Sequence, residues 1–595
     1  MNEYVAPLRD MQFILSHLAG IDEIGRLPGY EEATPDLVEA ILDEAGKFAS
    51  GVLSPLNPVG DAEGCRVENG GVRTATGWKE AYAQFREGGW VGLAMPAEYG
   101  GQGLPKMVSA PVNEMWFASN IAFSLMPPMA VGSADTLVRA ASEELKARYI
   151  PRMASGEWTA TMDLTEPNAG SDLGAIQTRA EPHADGSYRV FGQKIFITYG
   201  DHDMAENIVH LVLARLPGAP AGVRGISMFL VPKFLVNEDG TLGALNDMHC
   251  ISVEHKLGIH GSPTCIMSYG DADGAVGYLV GEPGRGLEYM FVMVNESRFN
   301  VGLQGIALGD RAYQKALAYA RERIQGRDAI TGEPNVPIIR HPDVKRMLLQ
   351  MRASVMATRM LAYVAAGWFD KAKQHPDNAL AERCRSLVDL LMPVVKAWST
   401  ETGIEVADLG IQIHGGMGFV EETGVAQYLR DVRITSIYEG TTGIQANDLL
   451  SRKLLRDQAA ALRALIGEIR ATANAATEDA SIAELGASLE QMSGVLESAA
   501  DWIIACGKDS LGAALAGGVP FLRLLGLTCG AWQMTRAALA AQRQLREGPA
   551  DPAYLRGIIE LARFYFSHLA PQASAHAHTI MHGGKIVAGY PDTAW

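Results

Sequence analysis

The sequence predicts an α+β fold, with a helical N-terminal domain, a central antiparallel β domain, a helical bundle and an additional C-terminal helical domain. Three successive textures carry this prediction. Helical patterns dominate residues 1–157, short strand-like runs fill 158–285, and helical periodicity returns from 286 onward.

Within 1–157, segments such as "TPDLVEAILDEAGKFAS" read as helix, joined by Gly/Pro-rich connections such as "MPAEYGGQGLP". Between 158 and 285, the runs "WTATMDLT", "YRVFGQKIFIT", "NIVHLVLAR", "ISMFLVP" and "TCIMSYG" are separated by turn residues. No helix-length repeat lies between them, so an antiparallel barrel or sandwich is expected. In 286–455, Val344, Met347, Leu348, Met351 and Val355 form one apolar stripe, the core-facing pattern of a bundle helix. Residues 456–595 continue as Ala- and Leu-rich helix, and no fixed-period repeat is found. Pro520 and Arg523 interrupt the apolar stretch "LGAALAGGVPFLRLLGLTCGAW", so no membrane span is expected there.

At 595 residues the chain is too long for one core, so several domains are expected. A net charge of −17 argues against nucleic acid or an anionic membrane as the main partner. An anionic small ligand would need a locally basic pocket. The six cysteines form no CxxC pair, so neither a disulfide framework nor a zinc site is suggested, and a reducing, cytoplasmic compartment fits. "MNEYVAPLRD" has no apolar h-region, so no signal or transit peptide is expected.

Several chemical signatures are missing. No GxGxxG sits between strand and helix, and no P-loop or GxSxG elbow occurs. His578 and His582 share a helix face but have no third ligand nearby in sequence. His249, Cys250, His255, His260 and Cys265 are irregularly spaced and read as a surface loop. In "ITSIYEGTTGIQANDL", the lone acid Glu439 stands between an apolar run and Gly440. Thr442 with Gln445 is a capping-box pattern, and Ile444, Leu449, Leu450, Leu454 and Leu455 follow at helical spacing. Glu439 is therefore expected in the turn before a helix. Alone it reads better as an acid favoured by the helix's positive end. "MDLTEPNAGSDLGAIQTRA" and "GQKIFITYG" offer hydroxyl and amide donors to an anionic or carbonyl ligand, or simply form a capped turn.

Taken in order, "LTEPNAGSD", "GQKIFIT", "SRFNVGLQGIALG", "IQIHGGMGF" and "IYEGTTGIQ" resemble the acyl-CoA dehydrogenase family over about residues 40–455. The C-terminal block, "APLRDMQFIL" and "HKLGIHGSPTC" resemble its long, C-terminally extended subgroup, which includes 3-methylmercaptopropionyl-CoA dehydrogenases. The resemblance implies FAD and α,β-dehydrogenation of an acyl-CoA thioester to the trans-2-enoyl-CoA. A base takes the α proton and the β hydride passes to flavin N5. The implied substrate is 3-methylmercaptopropionyl-CoA or another short- or medium-chain acyl-CoA. Glu439 matches the base, and its own N–H with a ribityl hydroxyl would bind the thioester oxygen. Met162, Leu164 and Thr165 match the strand end that contacts the flavin, and Phe196 and Thr198 lie near N5. Ser171 matches a serine shared by FAD and CoA. Arg323, Gln412 and Gly416 match pyrophosphate-binding positions, with Arg323 reaching from a neighbouring subunit. Thr441 and Gly443 match further FAD contacts. Asn295, Arg298, Tyr438 and Gly440 match positions along the CoA thioester.

The pattern departs in places. Phe196 replaces a usual tryptophan, Asn295 an acid and Gly443 a glutamine, and "RERIQGRDA" lacks an aromatic after Arg323. The resemblance further implies an electron-transfer flavoprotein as acceptor and a homodimer, with a tetramer as the alternative. An acyl-CoA oxidase using O2 and a non-catalytic acyl-CoA-binding protein are the competing functions.

Overall fold

The computed structural model describes residues 4–548 and 551–594. The chain divides into two compact units. The first comprises 4–5, 45–105 and 115–300, and the second 6–44, 106–114 and the described residues from 301 onward.

The first unit begins with helices, among them Trp78–Glu87, Pro127–Ala140 and Glu143–Ala154. Phe48, Phe85, Trp90 and Trp116 meet edge-to-face, and Trp78 and Phe123 extend the cluster. A small hairpin, β1 (Arg66–Glu68) and β2 (Gly71–Arg73), interrupts the helical segment. Its turn is Asn69-Gly70, at φ 53° and 78°. Left-handed φ at both central residues matches the twist of a two-residue hairpin.

The rest of this unit is mostly strand: β3 (Trp158–Asp163), β4 (Arg179–Pro182), β5 (Tyr188–Thr198), β6 (Asn207–Arg215), β7 (Ile226–Pro232), β8 (Phe234–Val236), β9 (Leu242–Leu245), β10 (Met248–Val253), β11 (Thr264–Tyr269) and β12 (Ala275–Val280). Eight strands form one sheet in the order β10-β11-β5-β12-β7-β6-β3, with β4 beside β5 and β6. Pairing is antiparallel except between β3 and β6 and at one residue of β4 and β6. Strands β6 and β7 are buried almost throughout, which explains their unbroken apolar runs.

The second unit is helical. Pro342–Gln374 and Asn378–His414 are joined by three residues and pack together, with Asp377 accepting from the Ala379 and Leu380 N–H groups. Met347, Leu348, Met351 and Val355 of the predicted stripe are buried, and Val344 is half-buried. The stretch from Val301 of helix Gly286–Glu322 lies against Asn378–His414 through glycines. A Cβ at Gly305 would stand 2.5 Å from the Ser399 carbonyl, and one at Gly403 2.3 Å from that of Gly305. Only glycine lets the two backbones come this close.

The C-terminal extension packs on this bundle. The apolar stretch around Pro520 forms helices Leu511–Ala516 and Gly518–Glu547, with Phe521, Leu522, Leu524 and Leu525 fully buried. Gly526 and Gly530 face Trp398, and a Cβ at Gly526 would lie 2.5 Å from that indole. Among the described residues, no single helix is long and apolar enough to cross a membrane. The rings of His578 and His582 lie 4.5 Å apart, tilted to each other, on Gln572–Gly589, and no group of three or more metal-ligating side chains occurs among the described residues.

The N-terminal helix Leu8–Ile14 is fastened by residues far along the sequence. Asp10 pairs with Arg352 at 2.6 Å and accepts from the Tyr554 hydroxyl at 2.9 Å. Arg9 lies 3.8 Å over the Tyr554 ring and pairs with Asp551. Deeper in, the fully buried Arg359 binds Glu114 at 2.6 Å and Asp310 at 3.2 Å.

Asp370, also buried, accepts from the Lys106 and Met107 N–H groups at 2.7 and 2.8 Å. Burial pushes its carboxyl up to about 7, against the opposing pull of those N–H groups and of Lys106 and Lys373. The folded chain therefore holds a proton at pH 5 that the unfolded chain has lost, and this stabilisation disappears as pH rises through 7. Between pH 5 and pH 8, the wild-type melting temperature should fall further than that of Asp370→Asn. Parallel melting curves across that range would contradict this account.

Candidate active site

In the first unit the predicted residues gather at the end of β3 and on β5. The chain leaves β3 through Met162 and Asp163 into Leu164 and Thr165, whose carbonyls are both occupied within the unit. Lys194 Nζ donates to the Leu164 carbonyl at 2.9 Å, and Ile195 N–H to that of Thr165 at 2.9 Å. Glu166 follows as a buried hub. It accepts from Thr178 Oγ1 at 2.6 Å and Gln177 N–H at 2.6 Å, and pairs with Lys194 at 2.9 Å. Burial alone would raise its carboxyl, but Lys194, Thr178 and Gln177 outweigh this and hold it below the ordinary range. Burial lowers Lys194, with Glu166 opposing. Asp163 is buried as well, accepting from the Tyr269 hydroxyl with His210 Nδ1 at 3.3 Å.

Phe196 sits in a β-bulge. Cys265 pairs with Ile197 and Met267 with Lys194, so Ile195 and Phe196 oppose the single residue Ile266. The bulge puts Phe196 at φ 60° and leaves its ring 58% exposed, although it lies on a central strand. Thr198 is half-buried, and its carbonyl accepts from the Thr161 hydroxyl at 2.9 Å. Ser171 is exposed in the loop after Glu166, while Asn295 (exposed) and Arg298 (half-buried) lie on helix Gly286–Glu322.

In the second unit Glu439 lies in the turn before helix Thr442–Asp448, as the sequence predicts. The capping box does not form. The N-cap is Thr441, whose hydroxyl accepts from Ile444 N–H at 3.3 Å. Gln445 reaches back instead to the carbonyls of Glu439 and Gly440, at 3.0 and 3.4 Å. The reason is backbone conformation: Glu439 and Gly440 stand at φ 56° and 90°, which turns both carbonyls towards Gln445. Lys396 Nζ donates to the Gly440 carbonyl at 2.7 Å. Tyr438 donates its hydroxyl to Gln304. Burial and the neighbouring Glu439 carboxylate push that phenol well up, so it stays protonated. The hydroxyl is thus committed to Gln304.

Gln412 and Gly416 are exposed around the end of Asn378–His414, and nothing lies within 4 Å of a Cβ built at Gly415 or Gly416. Beside them Met417 and the 89%-exposed Phe419 present apolar surface. Gly443 is also open, with Thr441 Oγ1 at 3.8 Å. Arg323 is exposed where an arm leaves the helix, and its carbonyl accepts from Ile338 N–H at 2.8 Å. The predicted residues are thus divided between the two units.

Family models match almost the whole chain. Acyl-CoA dehydrogenase N-terminal, middle and C-terminal domains match 36–157, 161–272 and 284–455, and an acetyl-CoA dehydrogenase C-terminal-like region matches 465–591. The chain belongs to the acyl-CoA dehydrogenase family. It is 46% identical to the 3-methylmercaptopropionyl-CoA dehydrogenase of Ruegeria pomeroyi, over 98% of each chain. It is 34% identical to a butyryl-CoA dehydrogenase of Syntrophomonas wolfei, over 96% of this chain and 95% of that one. A Bacillus anthracis acyl-CoA dehydrogenase complexed with FAD shares the fold, with TM-score 0.74, 22% identity, and coverage of 98% of this chain and 93% of that one. The protein is therefore an FAD-dependent acyl-CoA dehydrogenase.

The residues present fit that cofactor. An exposed aromatic ring on a bulge beside a strand end whose carbonyls are already bonded suits a flat, polar-edged ring system. Open glycines beside Gln412 suit a diphosphate drawn close to the backbone. Sequence reasoning missed Glu166, Lys194 and Lys396, and gave Gln445 a capping role in place of its bonds to the Glu439 and Gly440 carbonyls. The first two lie inside the quoted "LTEP" and "GQK" motifs, where a paired acid and base were the available signal. Lys194→Met would strand Glu166 in the core and release the Leu164 carbonyl. Breaking such a pair costs about 3–5 kcal/mol. We expect a lower melting temperature together with weaker FAD retention, read by flavin content after gel filtration. Full FAD content with unchanged melting would contradict the role assigned to this pair.

Proposed function

We propose that Glu439 is the base that removes the α proton of a short acyl-CoA thioester, and that 3-methylmercaptopropionyl-CoA is the natural substrate. The observation that carries the reading is Glu439's left-handed backbone. A non-glycine residue there costs about 1–3 kcal/mol. An acid placed only to favour a helix end gains about 0.3–1 kcal/mol, too little to offset that cost. A carboxylate that must point at a substrate carbon supplies the missing reason.

FAD supplies the two-electron acceptor for the β hydrogen. Met162, Leu164, Thr165, Phe196 and Thr198 would hold its ring, with Phe196 stacking but lacking the N–H of a tryptophan. Ser171, Arg323, Gln412, Gly416, Thr441 and Gly443 would hold the remainder. Thr441 does so while capping the helix, so its contact falls to the backbone or the methyl group. Asn295, Arg298 and Gly440 would line the CoA path, with Arg298 providing the local cation that an anionic ligand needs on a chain of net charge −17. Tyr438 would wall the acyl chain, and together with Ile437 would exclude water from the base. The substrate follows from the 46%-identical relative named for 3-methylmercaptopropionyl-CoA. An electron-transfer flavoprotein as acceptor, a homodimeric assembly and a cytoplasmic location complete the reading, the last supported by six free cysteines.

Glu439→Gln should keep its flavin and bind acyl-CoA, yet bleach about 10²–10⁴-fold more slowly under anaerobic conditions. Retained fast bleaching would remove Glu439 from the base role. Arg298→Ala should raise KM for acyl-CoA while flavin content stays constant, and flavin loss instead would count against its placement. In a thioester panel under the same assay, 3-methylmercaptopropionyl-CoA should give the highest kcat/KM. A long straight chain in first place would overturn the substrate.

A further inference from the structure

Lys396 lies on helix Asn378–His414 between fully buried neighbours, Val395 and Ala397, and is itself 0% exposed. A buried ammonium gives up its hydration, so fixed acceptors must replace it. One of them is the Gly440 carbonyl, at 2.7 Å. Gln445, also 0% exposed, holds the Glu439 carbonyl and, more weakly, that of Gly440. Both carbonyls of the left-handed pair are therefore gripped by buried side chains, one from a bundle helix and one from the helix that follows. Gly440 is needed for this grip, because a Cβ there would come within 2.7 Å of Gln445 Nε2.

Resting on the reading of Glu439 as the base, we propose that Lys396 is a positioning residue that keeps the 439–440 backbone left-handed and so aims the Glu439 carboxylate at the α carbon. Residue 439 carries a Cβ, so without the clamp it relaxes to negative φ, where L residues are unstrained. That rotation re-aims the carboxylate. A displacement of about 1 Å at a reacting group costs on the order of 10²-fold in rate. Lys396 acts through the main chain and takes no proton from the substrate.

The test uses the holoenzyme and a 3-thia-acyl-CoA, in which sulfur replaces C3. The α proton of this probe can leave but no β hydride can follow, and its anion over oxidised flavin gives a long-wavelength charge-transfer band. Lys396→Met should retain stoichiometric FAD, bleach with substrate about 10²-fold more slowly, and show a reduced band at saturating probe. Gln445→Met should do the same to a smaller degree. A lysine that merely supported the fold would lower the melting temperature and leave the band of the folded enzyme at full height, and that result would overturn the proposal. If Lys396→Met does not fold, Gln445→Met decides alone: a reduced band supports the clamp and a full band refutes it. Glu439→Gln separates the two readings. A band that persists in it defeats the base assignment, whereas a band lost in it but intact in Lys396→Met defeats only the clamp.

Discussion

A side chain at positive φ has to be held there, and in this protein Glu439 is one of the residues so placed. Its environment is arranged around the constraint: Gly440 accepts the second left-handed position, Thr441 starts the next helix, and Lys396 and Gln445 take the carbonyls. The first unit shows a similar arrangement where the chain leaves β3. Lys194, again fully buried, holds the Leu164 carbonyl and pairs with Glu166, while a bulge turns Phe196 outward. In both units a desolvated lysine acts on main-chain geometry, so a residue type usually read as surface charge serves here as an internal brace.

Much of the fold was legible because its periodicities are long and clean. The runs that became β3, β5, β6, β7 and β11 stood out by composition, and the stripe from Met347 to Val355 by its spacing. The Asn69-Gly70 turn carried a hairpin signal strong enough to be found, but it was embedded in helical texture. The parallel pairing of β3 with β6 was not legible, since no local pattern records which strands meet after a long excursion. Nor was the bulge at Phe196, because a one-residue slip leaves the sequence of a strand unchanged.

The candidate site divides the same way. Glu439 and the flavin-side residues could be picked out because their motifs are contiguous. The clamp could not: Lys396 is 44 positions from Gly440, and a buried lysine in an apolar helix looks like a solvated one until its neighbours are known. Two adjacent threonines, either able to cap, also moved the helix start by one residue and freed Gln445 for another task.

Fastening helix Leu8–Ile14 to residues 551–554 has a consequence during synthesis. The Tyr554 hydroxyl that meets Asp10 belongs to a residue 544 positions downstream. At about 5–20 residues per second, a ribosome needs on the order of 30–110 s to deliver it. Over that interval Phe13, whose ring meets that of Tyr554 edge-on, waits without this cover, so this long-range closure comes late in vectorial folding.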